Sequence, residues 1–146
     1  MTIQVLKTQD LMHMSQAELD ELYKNSPTGT IPEGNSKGTV VTVGGFVLME
    51  VISLLISLIA WEGKVFDSDR KHLLNKITPF KIRLIEAEVY KGESWFCDGE
   101  SIILDYSKTS FLAQKIRDEI REVAPGIYLG NAYWEKTRVL NFILEF

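Results

Sequence analysis

Ile116–Phe146, IRDEIREVAPGIYLGNAYWEKTRVLNFILEF, is the stretch whose reading decides the fold. It alternates apolar and polar residues and breaks at Pro125-Gly126 and again around Glu135-Lys136-Thr137. That pattern predicts three antiparallel strands joined by tight turns. A period of two puts Arg138, Leu140, Phe142, Leu144 and Phe146 on one face of the last strand. Just upstream, Leu112, Ile116, Ile120 and Val123 also have helical spacing after a cap at Thr109, so Ser107 to Lys115 is ambiguous. The hairpin character of IREVAPGIYLG decides for a loop or one helical turn there, then a strand from Ile116.

Working back toward the N-terminus, Ser101 to Tyr106 is the preceding strand, with Ile102, Leu104 and Tyr106 on one face. Asp98-Gly99 stands where a type I′ hairpin turn wants it. Phe80 to Tyr90 reads as a long strand whose pattern changes halfway. Phe80, Ile82 and Leu84 share a face with Glu86, Glu88 and Tyr90, so that face turns from apolar to acidic. Either a β-bulge near Leu84 flips the register or the strand passes between environments on a curved sheet. Leu73 to Ile77 and an extended run around Val65 supply two shorter strands.

Phe46 to Trp61, FVLMEVISLLISLIAW, is the most apolar segment. It is shorter than the roughly 20 apolar residues that cross a bilayer and contains Glu50. As a helix it carries a narrow stripe of Glu50, Ser53, Ser57, Ala60 and Lys64, so a core helix against a sheet is favoured over a membrane anchor. The lead-in, 1–45, holds a capping box at Ser15-Gln16-Ala17-Glu18 that starts a helix from about Gln16 to Lys24, with Met14 and Leu19 placed for a hydrophobic staple. A Pro/Gly/Asn-rich loop to Gly38 and a short β-rich run, Thr39 to Val43, follow.

The chain has 146 residues, 45% of them hydrophobic, and a formal net charge of -4. That length suits a single domain, and the acidic balance argues against nucleic-acid or anionic-membrane partners, which need a basic stripe. Cys97 is the single cysteine. With no partner for a disulfide and no basic start or apolar run in MTIQVLKTQD, a reducing cytoplasm is the expected location. Cys97 itself reads as a small buried filler.

About seven strands from Val65 onward, after one apolar helix and without helical crossovers, predict a mainly β protein built on an antiparallel sheet. Closing such a sheet removes its edges, so a small up-and-down barrel with N-terminal helices is the first expectation. The alternative is an α+β cone of the nuclear-transport-factor-like kind, with helices in the mouth of a curved sheet.

WEGKVFD at 61–67, followed by IREVAPGIYLGNAYW and a terminal strand, resembles small lipocalin-like (calycin) proteins, particularly bacterial and fungal ones marked by a Gly-x-Trp-x-Gly segment. Ile59 stands where that segment has its first glycine, and the resemblance spans Trp61 to Phe146. It implies a barrel with an internal pocket for an apolar small molecule. It implies no particular reaction, because such folds host carriers and enzymes alike.

Inward-pointing ionisable residues are the informative ones in such a sheet. Arg117, Glu119 and Arg121 share one face of their strand, and Asp118 and Glu122 the other. A solvated outer face would make the first three weak ion pairs. In a pocket, Glu119 between two arginines would orient a ligand rather than take a proton. Glu86 and Glu88 are the acid/base candidates with Tyr106, since a carboxylate desolvated on an apolar face can act near neutrality. Tyr106, Tyr128, Tyr133, Trp61 and Trp134 could wall a pocket, with Lys64 beside Trp61. His13 and His72 stand alone and no phosphate-binding loop occurs, so neither metal nor nucleotide cofactor is expected. The expected function is binding of a hydrophobic small molecule, the alternative a cofactor-independent isomerase or cyclase using acid/base catalysis. A third reading is an interaction subunit docking through 46–61. No stable membrane insertion is expected, and a homodimer remains open.

Overall fold

A computed structural model describes residues 6–43, 64–67, 72–76, 83–107 and 115–146. The apolar helix expected at 46–61, Trp61 included, lies outside the described residues, as does the strand start at Phe80. Two short helices open the chain, α1 (Thr8–Met12) and α2 (Gln16–Asn25). The capping box forms as its spacing predicts: Glu18 donates its amide to Ser15 Oγ at 3.1 Å, and Ser15 returns its own amide to Glu18 Oε1 at 3.1 Å. Sequence reading missed α1. It is a single turn, too short to show a period, started by the Lys7 amide bonding Asp10 Oδ2 at 2.8 Å.

The strands are β1 (Gly34–Asn35), β2 (Lys37–Val43), β3 (Lys64–Asp67), β4 (His72–Lys76), β5 (Arg83–Glu93), β6 (Glu100–Asp105), β7 (Ile116–Ala124), β8 (Ile127–Trp134) and β9 (Thr137–Glu145). Every described pairing is antiparallel, in the order β1-β3-β4-β5-β6-β7-β8-β9-β2. From β3 to β9 sheet order follows chain order, the up-and-down pattern the sequence predicts. Six neighbours, β5 through β9 and then β2, form the sheet on which the described cores pack. Among the described residues no ladder pairs β1 with β2, so the sheet is not closed into a barrel. Ser36 alone separates these two end strands, however, so the ends of the order belong to one continuous segment and the sheet curls back toward itself.

One open alternative is settled and two sequence expectations need local correction. Between Asn75 and Lys76 of β4 the partner steps from Ile85 to Arg83, which makes Leu84 the extra residue and selects the bulge over a change of environment. A second bulge inserts Val139 between Arg138, opposite Tyr133, and Leu140, opposite Ala132. It turns Arg138 away from Leu140, Phe142 and Leu144, toward Asp20 (Nη1–Oδ1 2.8 Å) and the Phe96 ring (4.5 Å to its centroid). The Asp98-Gly99 turn is not a two-residue one: Glu93 pairs with Glu100, so Ser94–Gly99 forms the whole loop, with Gly99 at φ 92°.

The faces carry different cores. On one, Ala87, Val89, Ile102, Leu104, Tyr106, Ile116, Ile120, Leu140, Phe142 and Leu144 form an apolar face. On the other, Ile127, Leu129 and Ile143 receive Leu11, Leu19 and Tyr23 of the helices. Asn141 fixes that docking, accepting from Gln16 Nε2 at 2.8 Å and donating to Asn131 Oδ1 at 2.6 Å.

Candidate functional site

Register places the apolar face in rows across the strands. Tyr106 comes one residue after Asp105, which pairs with Arg117, and Ile116 pairs with Trp134. The next row runs Val89, Leu104, Asp118, Ala132, Leu140, and the one beyond it Lys91, Ile102, Ile120, Gly130, Phe142. Asp118 therefore sits at the centre of an otherwise apolar row and is 1% exposed. A carboxylate is rarely buried to this extent. Sequence reading put Asp118 on the face opposite Arg117 but did not propose it as a site residue. The signal was present in its alternation with Ile116 and Ile120.

Of the expected wall residues, Tyr106, Tyr128 and Trp134 are brought to this same face, whereas Tyr133, opposite Arg117 in register, lies on the other, because alternate residues of β8 point to opposite sides. Tyr128 is anchored by donating its hydroxyl to the Thr30 carbonyl at 2.6 Å, and its ring meets Phe146 edge-on at 5.5 Å. Trp61 lies outside the described residues. For Lys64 and Glu86 only the backbone path is described, in β3 and β5.

Arg117, Glu119 and Arg121 share the opposite face, as predicted, away from Tyr106, Tyr128 and Trp134, and they are not a solvated row. Glu119 is 0% and Arg121 3% exposed, because α2 and the Ser94–Gly99 loop close over them. Glu119 accepts from Ser94 Oγ (2.6 Å), the Trp95 amide (2.8 Å), Arg117 Nη1 (3.0 Å) and the Tyr23 hydroxyl (3.1 Å). Arg121 donates to the carbonyls of Tyr23 (3.0 Å), Asp98 (3.0 Å) and Glu100 (3.1 Å) and to Ser101 Oγ (3.1 Å). These contacts hold a helix end and a loop on the sheet.

The expected acid/base pair does not assemble. Glu88 lies opposite Asp105 in β6, on the face of Tyr90, whereas Tyr106 is buried in the apolar core on the other side of the sheet. The cause is the period of two, which separates neighbours in register by a sheet thickness. Cys97 is half-buried against the helix-side core, with its Sγ 3.8 Å from Ser94 Oγ.

Beyond the helices, on the Glu88 side, an open groove of about 600 Å³ is lined by Tyr90, Glu93, Trp95, Asp105, Lys115 and Arg117 among others. Asp105 is held below the usual carboxylate range. Partial burial opposes its ionisation, but bonds from the Ser107 hydroxyl (2.6 Å), the Ser107 amide (2.9 Å) and the Tyr90 hydroxyl (2.9 Å) outweigh it.

The tyrosines are shifted the other way. Burial first, and then the Glu122 carboxylate, push Tyr128 up from 10.0 to about 12. Tyr23 and Tyr133 are also raised, by burial and then by Glu119. A phenol whose native pKa exceeds its unfolded value contributes stability that is complete below the unfolded pKa and is lost as pH rises through the native one. Urea midpoints should therefore hold up to about pH 10 and fall steeply above it. Phenolate absorbance should lag behind that of the unfolded chain. Coincident phenolate curves with unchanged midpoints would contradict these burials.

No protein-family model matches the chain, and no curated protein matches it. A solved structure, the crystal structure of a protein from Thermomonospora curvata, is similar, with a TM-score of 0.63 and 21% identity over 90% of this chain and 87% of that one. At this identity the likeness concerns the fold. Among the described residues no helix is long and apolar enough to cross a membrane.

Proposed function

We propose that this is a cytoplasmic protein that binds a hydrophobic small molecule against the apolar face of its curled sheet, in the calycin-like manner. The observation that carries the reading is Asp118, a carboxylate 1% exposed in the row Val89, Leu104, Asp118, Ala132, Leu140. Apolar walls supply affinity in such a site, and one buried polar group fixes orientation. Tyr106 and Trp134 contribute amphipathic rings to the same face. The chemistry selects a largely apolar ligand with a hydroxyl or amino group that donates to the carboxylate. The placement of Tyr106 away from Glu88 leaves binding better supported than acid/base isomerisation or cyclisation.

Native mass spectrometry of protein purified without detergent should show a retained apolar adduct, and an anilinonaphthalene dye should compete with it. Asp118→Asn keeps shape but puts an amide nitrogen where a carboxyl oxygen accepts, so it should weaken adduct binding by about tenfold or more, the loss of a buried hydrogen bond. Absence of any adduct together with absence of saturable dye binding would sink the proposal. So would an adduct held equally well by Asp118→Asn.

A further inference from the structure

We infer that the groove walled by Trp95 and Tyr90 is a second binding site, on the sheet face opposite the apolar one, for a neutral hydroxyl-rich ring such as a sugar. Among the described residues, the exposed large hydrophobic side chains are Met12, Tyr90, Trp95 and Phe146, and two of these four share this groove. Trp95 is 46% exposed and yet held in place. Its amide bonds Glu119 Oε2 at 2.8 Å, the Arg117 guanidinium stacks 3.9 Å from its ring centroid, and Tyr133 meets it edge-on at 5.3 Å. An indole fixed by contacts from beneath and left open to solvent is a ready platform, since little ordering remains to be done on binding.

The groove's charges select the ligand class. Glu93, Asp105 and Glu135 line it together with Lys115 and Arg117, so a ligand of either net charge meets repulsion as well as attraction. Hydroxyl groups, in contrast, donate to carboxylates and accept from guanidinium and ammonium groups alike. The polar groups are pre-oriented. Asp105 is fixed by Tyr90 and Ser107, and Arg117 is fixed by Glu119 and by the Glu93 carbonyl at 2.9 Å. Gly92 also lines the groove. A sugar ring offers the matching pair of surfaces, an apolar C–H face for the aromatics and a hydroxyl edge for the charges. Trp95 also borders a second hollow of about 270 Å³ with Tyr133 and Lys136.

The test is a nitrogen-15 NMR titration of the full chain with cellobiose, maltose and lactose, with choline and inorganic phosphate as charged probes. At least one disaccharide should shift the Trp95 indole and the Gly92 and Glu93 amides saturably, and neither charged probe should. Trp95→Ala should weaken that binding by about tenfold or more, and Trp95→Phe should recover part of it. An unchanged melting temperature establishes that both variants are folded. An apolar adduct on the other face should survive Trp95→Ala, which separates the two sites. No response to any of the disaccharides, a response to choline or phosphate instead, or wild-type affinity in Trp95→Ala would each overturn the assignment.

Discussion

Arg121→Met should lower the unfolding free energy by about 3–5 kcal/mol, a large share of what a domain of this size has. Methionine retains an apolar stem of similar length but offers no donors. The guanidinium joins three parts of the chain: the Tyr23 carbonyl at the end of α2, the Asp98 carbonyl in the loop, and the Glu100 carbonyl and Ser101 hydroxyl of β6. Its positive charge also lies at the negative end of the helix dipole, 4.9 Å from the Tyr23 ring centroid. Removing it strands several buried acceptors at once, each costing about 1–3 kcal/mol unless water reaches it. Arg121→Lys should recover less than half of the loss, because a single ammonium cannot span acceptors that the planar fork reaches together. Urea denaturation measures both. A loss below about 1 kcal/mol in Arg121→Met would mean that α2 and the loop are held by packing alone.

Phe142→Ala should cost a similar amount, about 3–5 kcal/mol, for a different reason. Phe142 is fully buried in the apolar core, and its ring lies directly over Gly130 on the neighbouring strand. A Cβ built on Gly130 would collide with that ring, so the glycine is what admits the phenyl group to the row. Deleting the ring leaves a cavity walled by sheet backbone, which cannot collapse readily. Gly130→Ala alone should also destabilise, by overpacking, about 1–3 kcal/mol. In the Phe142→Ala background the same change should cost less or even stabilise. Strict additivity of the two substitutions in a denaturation cycle would refute the ring-over-glycine arrangement.

Strand identity was legible from Leu73 onward because alternation over a half-buried sheet survives in the order of residues. Ile116–Phe146 gave its three strands and both turns. The capping box at Ser15 and Glu18 was equally legible, being a local device whose partners lie three residues apart. The site was less so. Tyr106, Tyr128 and Trp134 were placed together, yet Tyr133 was wrongly grouped with them, Asp118 was passed over and Glu88 was paired with a residue on the far side of the sheet.

By itself, then, the sequence determined the sheet's antiparallel up-and-down order and the two-faced character of β7, since periodicity, turn residues and caps act over a few neighbouring positions. Tertiary structure decided which face was covered, and by what. Arg117, Glu119 and Arg121 look like a solvated charge row until α2 and the Ser94–Gly99 loop, far away in sequence, close over them. Arg138 looks apolar-facing until the Val139 bulge turns it to the helix side, toward Asp20 and Phe96. Asp118 becomes conspicuous only when register sets Leu104 on one side of it and Ala132 on the other. Burial is a property of contacts between residues remote in the chain, and a local pattern fixes which residues share a face without fixing what that face meets.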